Sequence, residues 1–211
     1  MGALLSNFRN TMIVSVLLAA VMIFAFGSAH GFDAAFGQAV LRWMHVFFGI
    51  LWIGLLYYFN FVQIRVMPNV PAELKPGVSK YIAPEALFWF RWAALFTVLI
   101  GILIAFSRGN AGASPGTSYA FEAFTFGFAG GYGVEGKGFT LLGIGIYLAL
   151  IMFINVWGVI WPNQKIALGL VEADADAKAK AARTAMLFSR INTLLSLPML
   201  TAMAMFQTLF G

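Results

Sequence analysis

The chain has 211 residues, of which 61% are hydrophobic and only 10% are charged. Water-soluble domains carry about 25% charged residues, so the composition predicts an all-α integral membrane protein with no separate soluble domain. The net charge of +5 does not indicate nucleic-acid binding, because the basic residues do not form one patch. The absence of cysteine excludes disulfides, iron–sulfur clusters and covalently attached haem c.

Five apolar runs predict membrane-spanning helices, each of which needs about 20 residues. The expected spans lie in one transmembrane domain covering residues 1–211, at about 11–28, 39–62, 86–106, 139–161 and 185–209. The first run also has the features of a cleaved signal peptide, although a retained helix is favoured. We expect helices 2–5 to form a four-helix bundle, with Pro162 ending the fourth helix and Pro198 kinking the fifth. An aromatic segment of the longest loop, residues 118–128, is suited to lying on the membrane surface.

The distribution of basic residues predicts the orientation, because cytoplasmic loops carry an excess of Lys and Arg. One set of loops contains eight basic residues, namely Arg9, Arg65, Lys75, Lys80, Lys165, Lys178, Lys180 and Arg183. The opposite set contains only Arg108 and Lys137. The N-terminus is therefore predicted to be cytoplasmic and the C-terminus periplasmic, in a multi-pass protein of the bacterial inner membrane in contact with its lipids.

The second span contains His45, one of only two histidines. Helical spacing places His45, Gly49 and Trp52 near one stripe, with Gly49 as a flat notch beside the imidazole. A histidine roughly 12 Å below the surface is a site hypothesis by default. One interpretation makes His45 the metal ligand of a b-type haem, with Arg42 near a propionate. The other makes it a neutral imidazole that is hydrogen-bonded between helices.

The inner halves of the later spans contain polar side chains without an acid to neutralise them. This predicted cluster consists of Arg91, Arg190, Asn155 and Asn192. Two arginines converging with amides would bind an anionic substrate. Alternatively, both arginines extend to lipid phosphates.

Four stretches then resemble a known family, in the same order along the chain. They are Leu-Arg-Trp-Met-His-Val at 41–46 with Gly-Ile-Leu-Trp-Ile-Gly at 49–54, Leu-Phe-Trp-Phe-Arg-Trp at 87–92, Asn-Val-Trp at 155–157 with Ile-Trp-Pro-Asn-Gln-Lys at 160–165, and Ser-Arg-Ile-Asn at 189–192 with Leu-Pro-Met-Leu at 197–200. Together they resemble the membrane domain of PuuD-type urate hydroxylases, also called the urate oxidase N-terminal domain. A weaker similarity exists to HemJ-type protoporphyrinogen oxidases.

The resemblance implies a membrane redox protein acting on an anion such as urate. The chain departs from the family pattern in having Phe88 in place of His, Arg91 in place of Lys, and Ala93 where Glu is usual. Family members also end in a c-type cytochrome domain that this sequence lacks. If the family activity is kept, the resemblance therefore implies that electrons pass to a separate cytochrome.

Two other functions stay open. The departures from the family pattern favour a non-catalytic structural or accessory subunit of a larger membrane complex. A transporter is the third possibility, although the spans show no inverted repeat.

Overall fold

The computed structural model describes residues 2–133 and 135–210, and within these it is all-helical with no strand. This confirms the predicted all-α class. The α-helices in chain order are α1 (Gly2–Leu5), α2 (Phe8–His30), α3 (Ala34–Tyr57), α4 (Ile64–Val66), α5 (Lys75–Gly77), α6 (Ala83–Ser107), α7 (Tyr119–Phe124), α8 (Phe139–Ile154), α9 (Trp161–Ala167) and α10 (Ala175–Leu209). Three π-helical segments connect some of them, π1 (Tyr58–Gln63), π2 (Val78–Ile82) and π3 (Asn155–Ile160), and Met67–Asn69 form a 3₁₀ turn.

Four helical stretches of the described chain are long and apolar enough to cross a membrane. They are Phe8–His30, Ala34–Asn69, Lys75–Ser107 and Phe139–Ala167. The predicted fifth span, at about 185–209, lies inside the 35-residue helix α10, which is not one of these four. Its charged N-terminal part, with Asp174 accepting from the Ala177 amide at 2.7 Å as the N-cap, makes α10 less apolar than the others.

The chain divides into two compact units, with the boundary between Trp43 and Met44 inside α3. In the first unit, the Asn7 side chain caps α2 by accepting from the Asn10 amide at 3.2 Å. Gly31, with φ +104°, ends α2, because such a backbone conformation favours glycine.

The second unit has one main core to which four long helices contribute. Its fully buried side chains include Trp52 and Leu56 from α3, Ala94 from α6, Met152 from α8 and Ala185 from α10. The rings of Phe59 in π1 and Phe90 in α6 also meet edge-on, with centroids 5.7 Å apart. The end of α3, together with α6, α8 and α10, therefore encloses the polar groups described below.

The fourth helical stretch continues past Pro162, where the sequence analysis predicted its end. The π3 segment ends at Ile160, and Pro162 then lies in the first turn of α9. A change of hydrogen-bond pattern such as π3 is expected directly before a proline inside a helical stretch, because proline has no N–H to donate. Helical conformation therefore extends to Ala167 and includes Lys165.

Part of the aromatic segment of the longest loop is packed within the second unit. Tyr119 and Ala123 of α7 are buried in a second cluster with Phe139 and Phe206. The rings of Tyr119 and Phe139 meet edge-on with centroids 4.9 Å apart. Phe121 and Phe128 of the same segment are exposed, and its predicted position on a membrane surface stays a prediction.

Candidate functional site

His45 lies in the second unit with its ring fixed against α6. It is half-buried, and its Nδ1 lies 2.8 Å from the backbone carbonyl oxygen of Thr97. Since a carbonyl only accepts, Nδ1 must donate. In the neutral ring Nε2 is then unprotonated, and it has no hydrogen-bond partner among the described residues. An imidazole oriented through one nitrogen with the other free is the usual arrangement of a metal-ligating histidine.

Gly101 of α6 provides the space for this ring. A Cβ at that position would lie 2.9 Å from His45 Cε1 and 3.3 Å from Nδ1. At Gly49 a Cβ would meet only Thr97 Cγ2, at 3.9 Å, which is ordinary contact. A glycine beside the imidazole is thus present on the neighbouring helix, at Gly101, and the predicted role of Gly49 as a notch for a cofactor stays a prediction.

Trp52, the third residue of the predicted stripe, is fully buried. Its indole Nε1 is also buried and has no hydrogen-bond partner among the described residues. An unsatisfied buried donor costs about 1–3 kcal/mol. Trp52 therefore packs the core and leaves one polar atom unused.

Arg42 belongs to the first unit and is half-buried. Its predicted pairing with a haem propionate stays a prediction.

The predicted anion cluster separates into three environments. Asn155 and Asn192 are buried and bonded to each other, with Asn155 Nδ2 donating to Asn192 Oδ1 at 2.8 Å. Asn192 Nδ2 donates to the Met152 carbonyl at 2.9 Å. Arg190 is exposed. Arg91 is half-buried, and its guanidinium carbon lies 3.9 Å from the centroid of the Trp161 ring.

Other buried polar bonds in the same part of the bundle were not identified from the sequence. Asn60, in π1, donates from Nδ2 to Ser189 Oγ at 2.8 Å, and the hydroxyls of Tyr57 and Ser196 lie 3.0 Å apart. The sequence does indicate a shared polar face, because Ser189, Asn192 and Ser196 follow the spacing of one helical face. Interhelical bonds of this kind stabilise membrane bundles by about 0.6 kcal/mol each on average. These groups thus hold α10 against α3 and α8.

Glu122, in the loop between α6 and α8, was also missed. It is fully buried, and its Oε1 accepts from Thr117 Oγ1 at 3.1 Å and from the Ser114 amide at 3.4 Å. Burial acts to raise the pKa of this carboxyl, but hydrogen bonds from Ser114, Thr117 and the Ala129 backbone outweigh it, so the pKa is lowered. Its Oε2 makes no bond of good geometry within the described chain. Glu122 is therefore an ionised carboxylate whose hydrogen bonds stabilise the loop between α6 and α8.

The described residues contain no group of three or more His, Cys, Asp or Glu side chains able to hold a metal ion. A haem needs only one or two protein ligands, because its own macrocycle supplies the rest. The His45 imidazole, with Nδ1 engaged and Nε2 free, fits one such position.

Residues 128–208 match the family model described as urate oxidase N-terminal. Over that segment the match agrees with the family resemblance noted from the sequence. The matched segment includes Asn155, Arg190 and Asn192, and it does not include His45 or Arg91. Neither a curated protein nor a solved structure matches the chain.

Proposed function

Because its residues 128–208 belong to the urate oxidase N-terminal family, we propose that the chain is a membrane-embedded redox protein in which His45 ligates a b-type haem. A bound haem would supply one-electron transfer. The single observation that carries this proposal is the His45 ring, which is oriented by the Thr97 carbonyl at 2.8 Å with Nε2 free.

The residues around His45 have separate tasks in this proposal. The Thr97 carbonyl fixes the tautomer and the direction of the ring. Gly101 admits the ring between α3 and α6, and Trp52 packs in the main core.

The proposed substrate is an anion such as urate, with electrons passing to a separate c-type cytochrome. Of the four predicted contacts, Arg91 is the one that is half-buried and whose side-chain donors have no partner within the described residues. Asn155 and Asn192 bond to each other, so their proposed task is to hold α8 and α10 in place behind the site. The proposed location is the bacterial inner membrane.

The test is a reduced-minus-oxidised absorption spectrum of detergent-purified protein from cells supplied with a haem precursor. The proposal predicts a Soret band that shifts on reduction, and urate-dependent reduction of added cytochrome c. A haem band without urate oxidation would refute the substrate and keep the cofactor. Protein without a Soret band after haem supplementation would refute the redox function.

A second candidate, a structural or accessory subunit of a membrane complex, is favoured by a different observation. Two of the cavities in the described chain, of about 400 and 360 Å³, are not lined by His45. In this candidate the bond from His45 to Thr97 only joins two helices. Recovery of the native protein from membranes within a larger assembly, without haem, would support it. Recovery as a single haem-loaded protein would exclude it.

A further inference from the structure

The guanidinium of Arg91 is held in a fixed position with its donors unused. It stacks on Trp161 at 3.9 Å and lies 5.3 Å from the centroid of Phe88. No side-chain hydrogen bond and no ion pair of Arg91 occurs within residues 2–133 and 135–210. An arginine carries five N–H donors and stays protonated in proteins. A half-buried cation with free donors and a rigid support is arranged to receive an acceptor.

A second cation approaches the same indole. Lys165 Nζ lies 5.9 Å from the Trp161 centroid, and Lys165 is half-buried and has no ion pair in the described chain. The acid nearest to Arg91 in sequence is Glu85, which is exposed and accepts from the Trp89 indole at 2.9 Å. Two positive charges thus converge on one ring without a carboxylate to neutralise them.

The packing of α6 against π3 and α9 brings Arg91, Trp161 and Lys165 together. Helical conformation continues through Pro162, so Trp161 and Lys165 lie one turn apart on the same face of α9. Across the helix pair, Trp157 Nε1 donates to the Arg91 carbonyl at 3.2 Å. The ring of Trp92 meets Trp157 edge-on, with centroids 5.7 Å apart. These contacts fix α6 against the π3–α9 stretch at the level of Arg91.

We infer that Arg91 and Lys165 form an anion-binding site supported by Trp161. Its ligand is an anion with at least two acceptor atoms on one edge, which a guanidinium binds through paired hydrogen bonds and an ammonium neutralises as a point charge. Arg190 is not part of this site. The inference rests on the proposed function for the identity of a soluble substrate. The same chemistry occurs in the phosphate of an anionic phospholipid, so the two sources need separate tests.

The first test is equilibrium dialysis of the full-length, detergent-purified protein with urate and, separately, with inorganic phosphate at low ionic strength. We expect saturable binding of at least one anion, weakened about tenfold or more by Arg91→Gln and by Lys165→Gln, since a charge-assisted hydrogen bond contributes about 1.5–3 kcal/mol. Arg190→Gln is the matched control, an arginine in another long helix, and should change the affinity less than about twofold.

The second test identifies a lipid source. The protein is placed in nanodiscs of phosphatidylcholine with or without phosphatidylglycerol, and co-purifying phosphatidylglycerol is measured by native mass spectrometry. Retention of this lipid by the wild type and by Arg190→Gln, and its loss from Arg91→Gln and Lys165→Gln, assigns the site to a headgroup. Binding of urate, phosphate and phosphatidylglycerol that is unaffected by both substitutions overturns the inference. Absence of haem would refute the redox function without changing these affinities, so the two failures are distinguishable.

Discussion

Replacing Gly101 with alanine should displace the His45 imidazole. The added Cβ would lie 2.9 Å from His45 Cε1, whereas carbon atoms in contact are about 3.5–4.0 Å apart. The ring or its helix must therefore move by roughly 0.6–1 Å, which strains or breaks the bond between Nδ1 and the Thr97 carbonyl. Overpacking of this size costs about 1–3 kcal/mol. The higher helix propensity of alanine returns about 1 kcal/mol.

The net loss is about 0–2 kcal/mol, and its midpoint of about 1 kcal/mol corresponds to a decrease in Tm of roughly 2–4 °C for a chain of this length. Thermal unfolding in detergent, followed by tryptophan fluorescence, measures it. Gly49→Ala is the matched control, because its Cβ would meet only Thr97 Cγ2 at 3.9 Å, and it should not lower the Tm. Protein labelled with ¹⁵N-histidine reports the imidazole itself. Equal Tm values and unchanged His45 signals in both variants would refute the proposed approach of α3 and α6 at this glycine.

Three further predictions follow from buried polar atoms. Asn192→Leu should lower the free energy of unfolding by about 1–3 kcal/mol, because Asn155 loses its acceptor. The double variant Asn155→Leu/Asn192→Leu should be less destabilised than Asn192→Leu alone. A double variant that is less stable than Asn192→Leu would contradict this account of the pair. Trp52→Phe should change the Tm little, since the loss of ring volume is offset by removal of an unsatisfied indole donor; a large decrease would show that Nε1 has a partner. Acidification should loosen the loop between α6 and α8, because the pKa of Glu122 is lowered in the fold. The contribution of Glu122 to stability is therefore fully present above its unfolded pKa of about 4.3. It is lost as the pH falls through the lower pKa of the folded state. Hydrogen exchange at Thr117, compared between wild type and Glu122→Gln, measures this contribution, and an exchange rate in the wild type that does not rise with acid would argue against it.

The long apolar runs made the helices predictable, because spanning a membrane requires both length and apolar composition. The burial of Trp52 also followed from helical spacing. The same rule could have predicted that Arg190 and Asn192 do not share a face. Residues two positions apart in an α-helix are roughly 200° apart around its axis.

Features that depend on pairing between helices were not predictable from one sequence. The space for His45 comes from Gly101, 56 positions further along the chain, and no local pattern links the two. The π segments change the phase of a helix by inserting a residue into its hydrogen-bond pattern, and apolar periodicity does not show where this occurs. After π3 the helical conformation continues through Pro162, so that Trp161 and Lys165 lie one turn apart in α9.

The central claim is that the His45 imidazole ligates a haem, and the haem content of two single variants tests it most directly. Wild type, His45→Ala and His30→Ala are purified from haem-supplied cells, and bound haem per chain is measured spectroscopically. His30 is the other histidine of the chain. It is exposed, and its Nδ1 lies 3.9 Å from Asp33 Oδ1. The account predicts that His30→Ala keeps the wild-type haem content and that His45→Ala loses it. Equal haem content in the two variants, or no haem in the wild type, would contradict the account.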